Sequence, residues 1–201
     1  MIGVLTAAFS AALIIYSLQY VRLSWKIAQA EPRYAAVVKG QLPGEVELDA
    51  LTRSLRDSPN VSNLSRSAFV QMVRAQQLGI RSIRALPRLT AAQRDLRKGL
   101  SAAPTDAYSW TRLAVANAEL DEQARAAAAL EMALQLAPSD RQLASMQFDL
   151  AVMLWNDLSP TARALLAQRL KWASQQPELK TVTSGVSARA LKEKLAAKPA
   201  G

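Results

Sequence analysis

The chain has 201 residues, 25 of them lysine or arginine and 16 aspartate or glutamate, a formal charge of +9 that asks for lipid headgroups, nucleic acid or an acidic partner. It has no cysteine and no histidine, which removes disulfides, thiolate metal sites, cysteine nucleophiles, the commonest metal ligand and the commonest general base together. Half of it is hydrophobic, only 5% is aromatic and alanine dominates, so the composition predicts an all-α protein: one domain plus an anchor.

Met1 to Val21 contains no charged side chain, and Ile2 to Tyr20 is nearly all apolar or small. At about 1.5 Å per residue this run just crosses a hydrocarbon core of about 30 Å. Tyr16, Tyr20 and Trp25 gather at its far end, where rings prefer the headgroup layer, and Arg22 and Lys26 follow. Ala28-Gln29-Ala30 has the small residues of a signal-peptide cleavage site. However, a signal peptide carries its positive charge before the apolar core, and here it comes after. The expectation is an uncleaved single-pass anchor over residues 2–21. The flanking charges place the domain in the cytoplasm by the positive-inside rule, whereas single N-terminal anchors commonly leave their domains outside, so the side stays open.

Beyond the anchor the chain reads as helices punctuated by proline and capping residues. Pro43-Gly44 opens a segment with Val46, Leu48, Leu51 and Leu55 in a helical stripe, ending at Asp57-Ser58-Pro59-Asn60. A second helix is expected from about Asn63 to Arg84, with Pro87 stopping any continuation. Thr90-Ala91-Ala92-Gln93 has the form of a capping box opening the next helix, which runs to about Ala102. Leu143 to Asn156 predicts another, and Ser159-Pro160 caps a further one through Trp172 and Ala173. A short helix is expected at Ser187–Ala197, followed by a loose end at Lys198-Pro199-Ala200-Gly201.

Pro104 and Pro138 are 34 residues apart, and between them fall Trp110, Leu113, Ala114, Ala126, Leu130 and Ala133 in order. The stretch from Ala107 to Asp140 resembles a tetratricopeptide repeat, a pair of antiparallel helices. The resemblance implies that Trp110 and Leu113 fill the space between the helices, that the three alanines let backbones approach, that Leu130 plugs the hairpin and that Pro138 ends it. Asn117 stands where the family usually has an apolar residue, so it either makes a local hydrogen bond or faces a binding groove. Asp121-Glu122 replaces the usual turn glycine, with Asp121 expected to cap the second helix. The neighbouring units match in part: Ala92, Leu96, Gly99 and Pro104 reproduce a second-helix half before the clear repeat. One repeat cannot bury its faces, so about three stacked hairpins are expected. The resulting organisation is an anchor over 1–25, a juxtamembrane helical segment over 26–60, a helical domain over 61–178 and a C-terminal tail over 179–201.

Charge is uneven. Basic residues dominate from Arg53 to Lys98, and acids from Asp106 to Asp157. Arg66, Arg74, Arg81 and Arg84 recur at close to two-turn spacing, which would place them on one helix face, either solvated or against anionic lipid. Nucleic acid is the least favoured partner, since the region has one aromatic, Phe69, and no recognition motif. There is no phosphate loop, dinucleotide fingerprint or clustered metal ligand set, so no cofactor and no catalytic role is expected. The resemblance implies a membrane-tethered scaffold or assembly factor that binds protein partners of a membrane complex, in a bacterial inner membrane. The alternative, by analogy with anchored bacterial repeat proteins, is an accessory subunit of a membrane or envelope pathway such as polysaccharide synthesis; that analogy favours a periplasmic domain.

Overall fold

The computed structural model describes residues 21, 25, 28–41, 43–57 and 60–197. Among these residues all regular structure is helical, with no strand. The expected span over 2–21 lies outside them except for Val21, as do Arg22, Lys26 and Lys198 to Gly201. Among the described residues no helix is long and apolar enough to cross a membrane. The chain divides into two compact units, residues 1–70 and 71–201.

In the first unit, a helical segment over residues 28–38, α1, buries Ala30 and Val37. Gly40 ends it at φ +78°, with its N–H donating to Val37 O and that of Gln41 to Ala36 O, the paired bonds of a Schellman cap. Helix α2, Glu45–Arg56, has acids in its first turn and arginines in its last, matching the helix dipole at both ends. It buries Leu48, Leu51, Thr52 and Leu55 but leaves Val46 exposed. Asn60 Oδ1 accepts from the Ser62 backbone at 3.0 Å where α3, Ser62–Gln77, begins. Arg66 pairs with Glu31 at 2.6 Å and lies 5.1 Å over the Tyr34 ring, which meets Phe69 edge-on at 6.0 Å.

The boundary between the units falls within α3. That helix stops at Gln77 rather than continuing to Arg84, because Gly79 adopts φ +79°, a left-handed turn no helix continues through. In the second unit, α4 runs over Leu86–Ala102, α5 over Ala107–Glu119 and α6 over Gln123–Leu136. Pro87 sits in the first turn of α4, where a missing N–H costs nothing, so it starts that helix instead of only ending the previous one. The Thr90–Gln93 box is therefore interior to α4 and caps no terminus. Helix α7, Ala144–Met153, leads through a single 3-10 turn at Trp155–Asp157 to α8, Pro160–Ser174. Ser159 caps α8 as expected, its Oγ accepting from Ala162 N at 2.9 Å.

Helix α5 packs against α4, α6 and α7, while α6 packs against α7 and α8. Like therefore lies on like: first helix against first helix, second against second, in two stacked antiparallel hairpins. The short helix expected at Ser187–Ala197 is α10, Val186–Ala196, and a further short helix, α9, Lys180–Ser184, precedes it. Helix α10 packs on α7 and α8 with Ala188 and Leu191 buried, and Ser187 Oγ bonds Asp149. Arg163 and Lys194 both lie over the Trp155 ring, at 5.0 and 5.7 Å.

Candidate functional site

Chemistry concentrates where α4, α5 and α6 meet. Five of the repeat residues, Leu113, Ala114, Ala126, Leu130 and Ala133, are buried. Trp110 is only half-buried, and its indole N–H donates to Pro104 O at 2.7 Å. Pro138 is exposed just beyond α6.

The 34-residue period extends to a pair of aspartates that the sequence reading did not connect. Asp106 caps α5, its Oδ1 accepting from Tyr108 N at 3.0 Å and Ser109 N at 3.3 Å. Asp140 repeats the act on the turn opening α7, accepting from Gln142 N at 2.8 Å and Leu143 N at 3.2 Å. Tyr108 joins the two caps, its hydroxyl donating to Gln142 Oε1 at 2.8 Å and reaching Asp140 Oδ1 at 3.3 Å. Burial and the Asp140 carboxylate both raise the Tyr108 pKa above its ordinary 10.0. The signal was present in the chain: Pro104-Thr105-Asp106 and Pro138-Ser139-Asp140 are the same tripeptide in type, 34 residues apart.

Asn117 is 2% exposed and accepts a hydrogen bond from Gln93 Nε2 at 2.8 Å, so it does not line an open groove. The same Gln93 amide donates to Glu122 Oε2 at 2.7 Å, which uses both its protons. Glu122 also pairs with Arg125 at 3.0 Å and Arg97 at 3.5 Å. The Arg125 hydrogen bond chiefly holds the Glu122 carboxyl below its ordinary range, with Gln93 and Arg97 acting in the same direction. The turn before Glu122 uses Asp121 at φ 60° in place of glycine. Asp121 makes the turn, and no side-chain hydrogen bond caps α6.

Arg169, on α8, is buried and donates to Ala137 O at 2.7 Å and Asp140 O at 2.5 Å. It thereby satisfies the C-cap carbonyl of α6, where the helix dipole is negative, and a carbonyl of the turn that follows. Desolvation lowers its pKa to about 10, so the guanidinium keeps its proton at neutral pH. Nothing in the local sequence marks this residue, since its role depends on how the hairpins stack.

The helix expected to carry four arginines on one face, solvated or against lipid, ends before two of them. Arg66 is engaged by Glu31 and Tyr34 in the first unit. Arg74 is 1% exposed, which removes it from any headgroup-facing surface. Arg81 and Arg84 lie past the end of α3 in the Gly79 turn, both exposed. On the solvent side, α4 presents Arg94, Arg97 and Lys98, whereas α6 and α7 present Met132, Met146 and Met153. Among the described residues no group of three or more acids could hold a metal ion.

No protein-family model matches this chain, and no curated protein or solved structure matches it.

Proposed function

We propose that this chain is a membrane-tethered, non-catalytic scaffold whose tetratricopeptide-like hairpins bind a protein partner within a membrane complex. The observation that carries the reading is the recurrence, at 34 residues, of the capping aspartates Asp106 and Asp140 on two stacked hairpins. An aspartate that bonds the backbone at the start of successive hairpins at a fixed period is what a repeat array predicts, because each unit buries its faces only against the next. The exposed methionines add support. Thioether side chains are flexible and polarizable and suit adaptable protein contacts, and here one is exposed on α6 and two, Met146 and Met153, a two-turn spacing apart on α7. The tether rests on the uncharged run over residues 2–21, and it would raise the scaffold's local concentration beside its partner.

The test is photo-crosslinking in native membranes, with the crosslinker at position 132, 146 or 153 of the full chain. A common discrete adduct at these positions, the one from position 132 being lost when Met146 and Met153 are both changed to aspartate, supports the scaffold. No adduct at any of the three, in a chain that resists carbonate extraction, would overturn it.

A further inference from the structure

We infer that the turn between α3 and α4 docks on an anionic bilayer, with Ile83 and Leu86 entering the headgroup layer and Arg81 and Arg84 pairing with lipid phosphates. The turn is held from beneath. Ala85 is fully buried with Ala75 and Leu89, and Leu78, Ile80 and Leu120 pack against that cluster. Hydrogen bonds from Ser82 Oγ to Leu78 O at 2.7 Å and from Ala85 N to Ser82 O at 2.9 Å fix its backbone. With Leu78, Ile80 and Ala85 directed to the core, Ile83 remains 83% exposed and Leu86 43% exposed. The ordered turn thus holds two aliphatic side chains in water, three residues apart.

Charge selects the occupant. Arg81 and Arg84 flank Ile83 and are exposed, and no acidic residue occurs between Asp57 and Asp95. The first turn of α4, which follows immediately, carries no acid to offset its positive end. Apolar side chains set between cations match a surface that is anionic outside and apolar within, as a headgroup layer is. A polynucleotide would answer the arginines but offers no such layer for Ile83. The turn exposes no aromatic ring on which a base could stack. The contact involves none of the exposed methionines and does not depend on their binding protein.

The absence of cysteine from the chain permits a clean test. Ile83→Cys and, as a control, the exposed Gln135→Cys are labelled in the full chain with an environment-sensitive fluorophore. Each is placed with vesicles of phosphatidylcholine, alone or mixed with phosphatidylglycerol, containing brominated acyl chains. Position 83 should blue-shift and quench in the anionic vesicles only, and position 135 in neither. Arg81→Glu with Arg84→Glu should abolish the signal, while the two lysine replacements retain most of it. Each arginine should change partitioning roughly fivefold. Equal quenching in neutral vesicles, quenching at both positions, or indifference to the charge reversal would each overturn the inference. So would a shift without lipid that follows polynucleotide or protein concentration.

Discussion

Gln93 on α4 and Asn117 on α5 meet side chain to side chain inside the helical unit, donor to acceptor at 2.8 Å, with Asn117 almost wholly buried. Truncating one leaves the other without that partner, and an unsatisfied buried polar group costs about 1–3 kcal/mol. Asn117→Ala and Gln93→Ala should each lower the urea midpoint. In the double mutant the two losses should fall short of additive, by a coupling of about 0.5–3 kcal/mol. Strict additivity would mean the bond contributes no stability.

Asp106→Ala and Asp140→Ala each remove a carboxylate that accepts two backbone N–H groups, and each is expected to cost about 0.5–2 kcal/mol. Each carboxylate also accepts from a side-chain hydroxyl, Ser109 for Asp106 and Tyr108 for Asp140. Tyr108→Phe should reduce the loss caused by Asp140→Ala and leave that of Asp106→Ala unchanged, as read from parallel denaturation curves.

Glu122 gives the fold an acid sensitivity of known sign. Its folded pKa is depressed below the ordinary 4.5, chiefly by the Arg125 hydrogen bond. The stability it contributes is therefore fully present above 4.5 and is lost as pH falls from there through the lower folded value. Relative to wild type, Glu122→Gln should be destabilised at neutral pH. The gap between the two urea midpoints should close as pH falls below 4.5. A gap that is constant with pH would assign the loss to packing.

Leu130 and Trp110 should rank by burial and not by size. Leu130 is fully buried, so its replacement by alanine should cost about 2–5 kcal/mol. Trp110→Ala removes a larger but only half-buried ring, together with the bond to Pro104, and should cost less than Leu130→Ala. Thermal melts of the two variants decide the order.

The parts legible in the sequence were those written in local residue types. Leu113, Ala114, Ala126, Leu130 and Ala133 fall at helical spacing, and all of them are buried. Ser159-Pro160 opens α8 through the hydrogen bond its types predict. The errors came where two local signals competed. The arginine spacing argued for a helix through Arg84, but Gly79 broke it. Pro87 was read as a stop although proline is equally at home in a first turn, and that moved the start of α4 and made Gln93 look like a cap. Gln93 instead reaches across to α5 and to Glu122, partners 24 and 29 residues away. Arg169 likewise bonds carbonyls 32 and 29 residues earlier, and no window of neighbours contains such information.

Arg169 has a consequence for how the array comes apart. In stacked repeats, unfolding resembles the melting of a one-dimensional chain, in which weak junctions let terminal units fray while the rest persists. Here a side chain from the second hairpin closes the end of the first: its guanidinium is bonded to Ala137 O and to Asp140 O in the turn that follows, and at the other end of α8 Ser159 Oγ is bonded to Glu131 at 2.6 Å. Opening α8 exposes the C-cap carbonyl of α6, so a break at the junction weakens both sides at once. The two hairpins should therefore melt together, without shedding the outer one first.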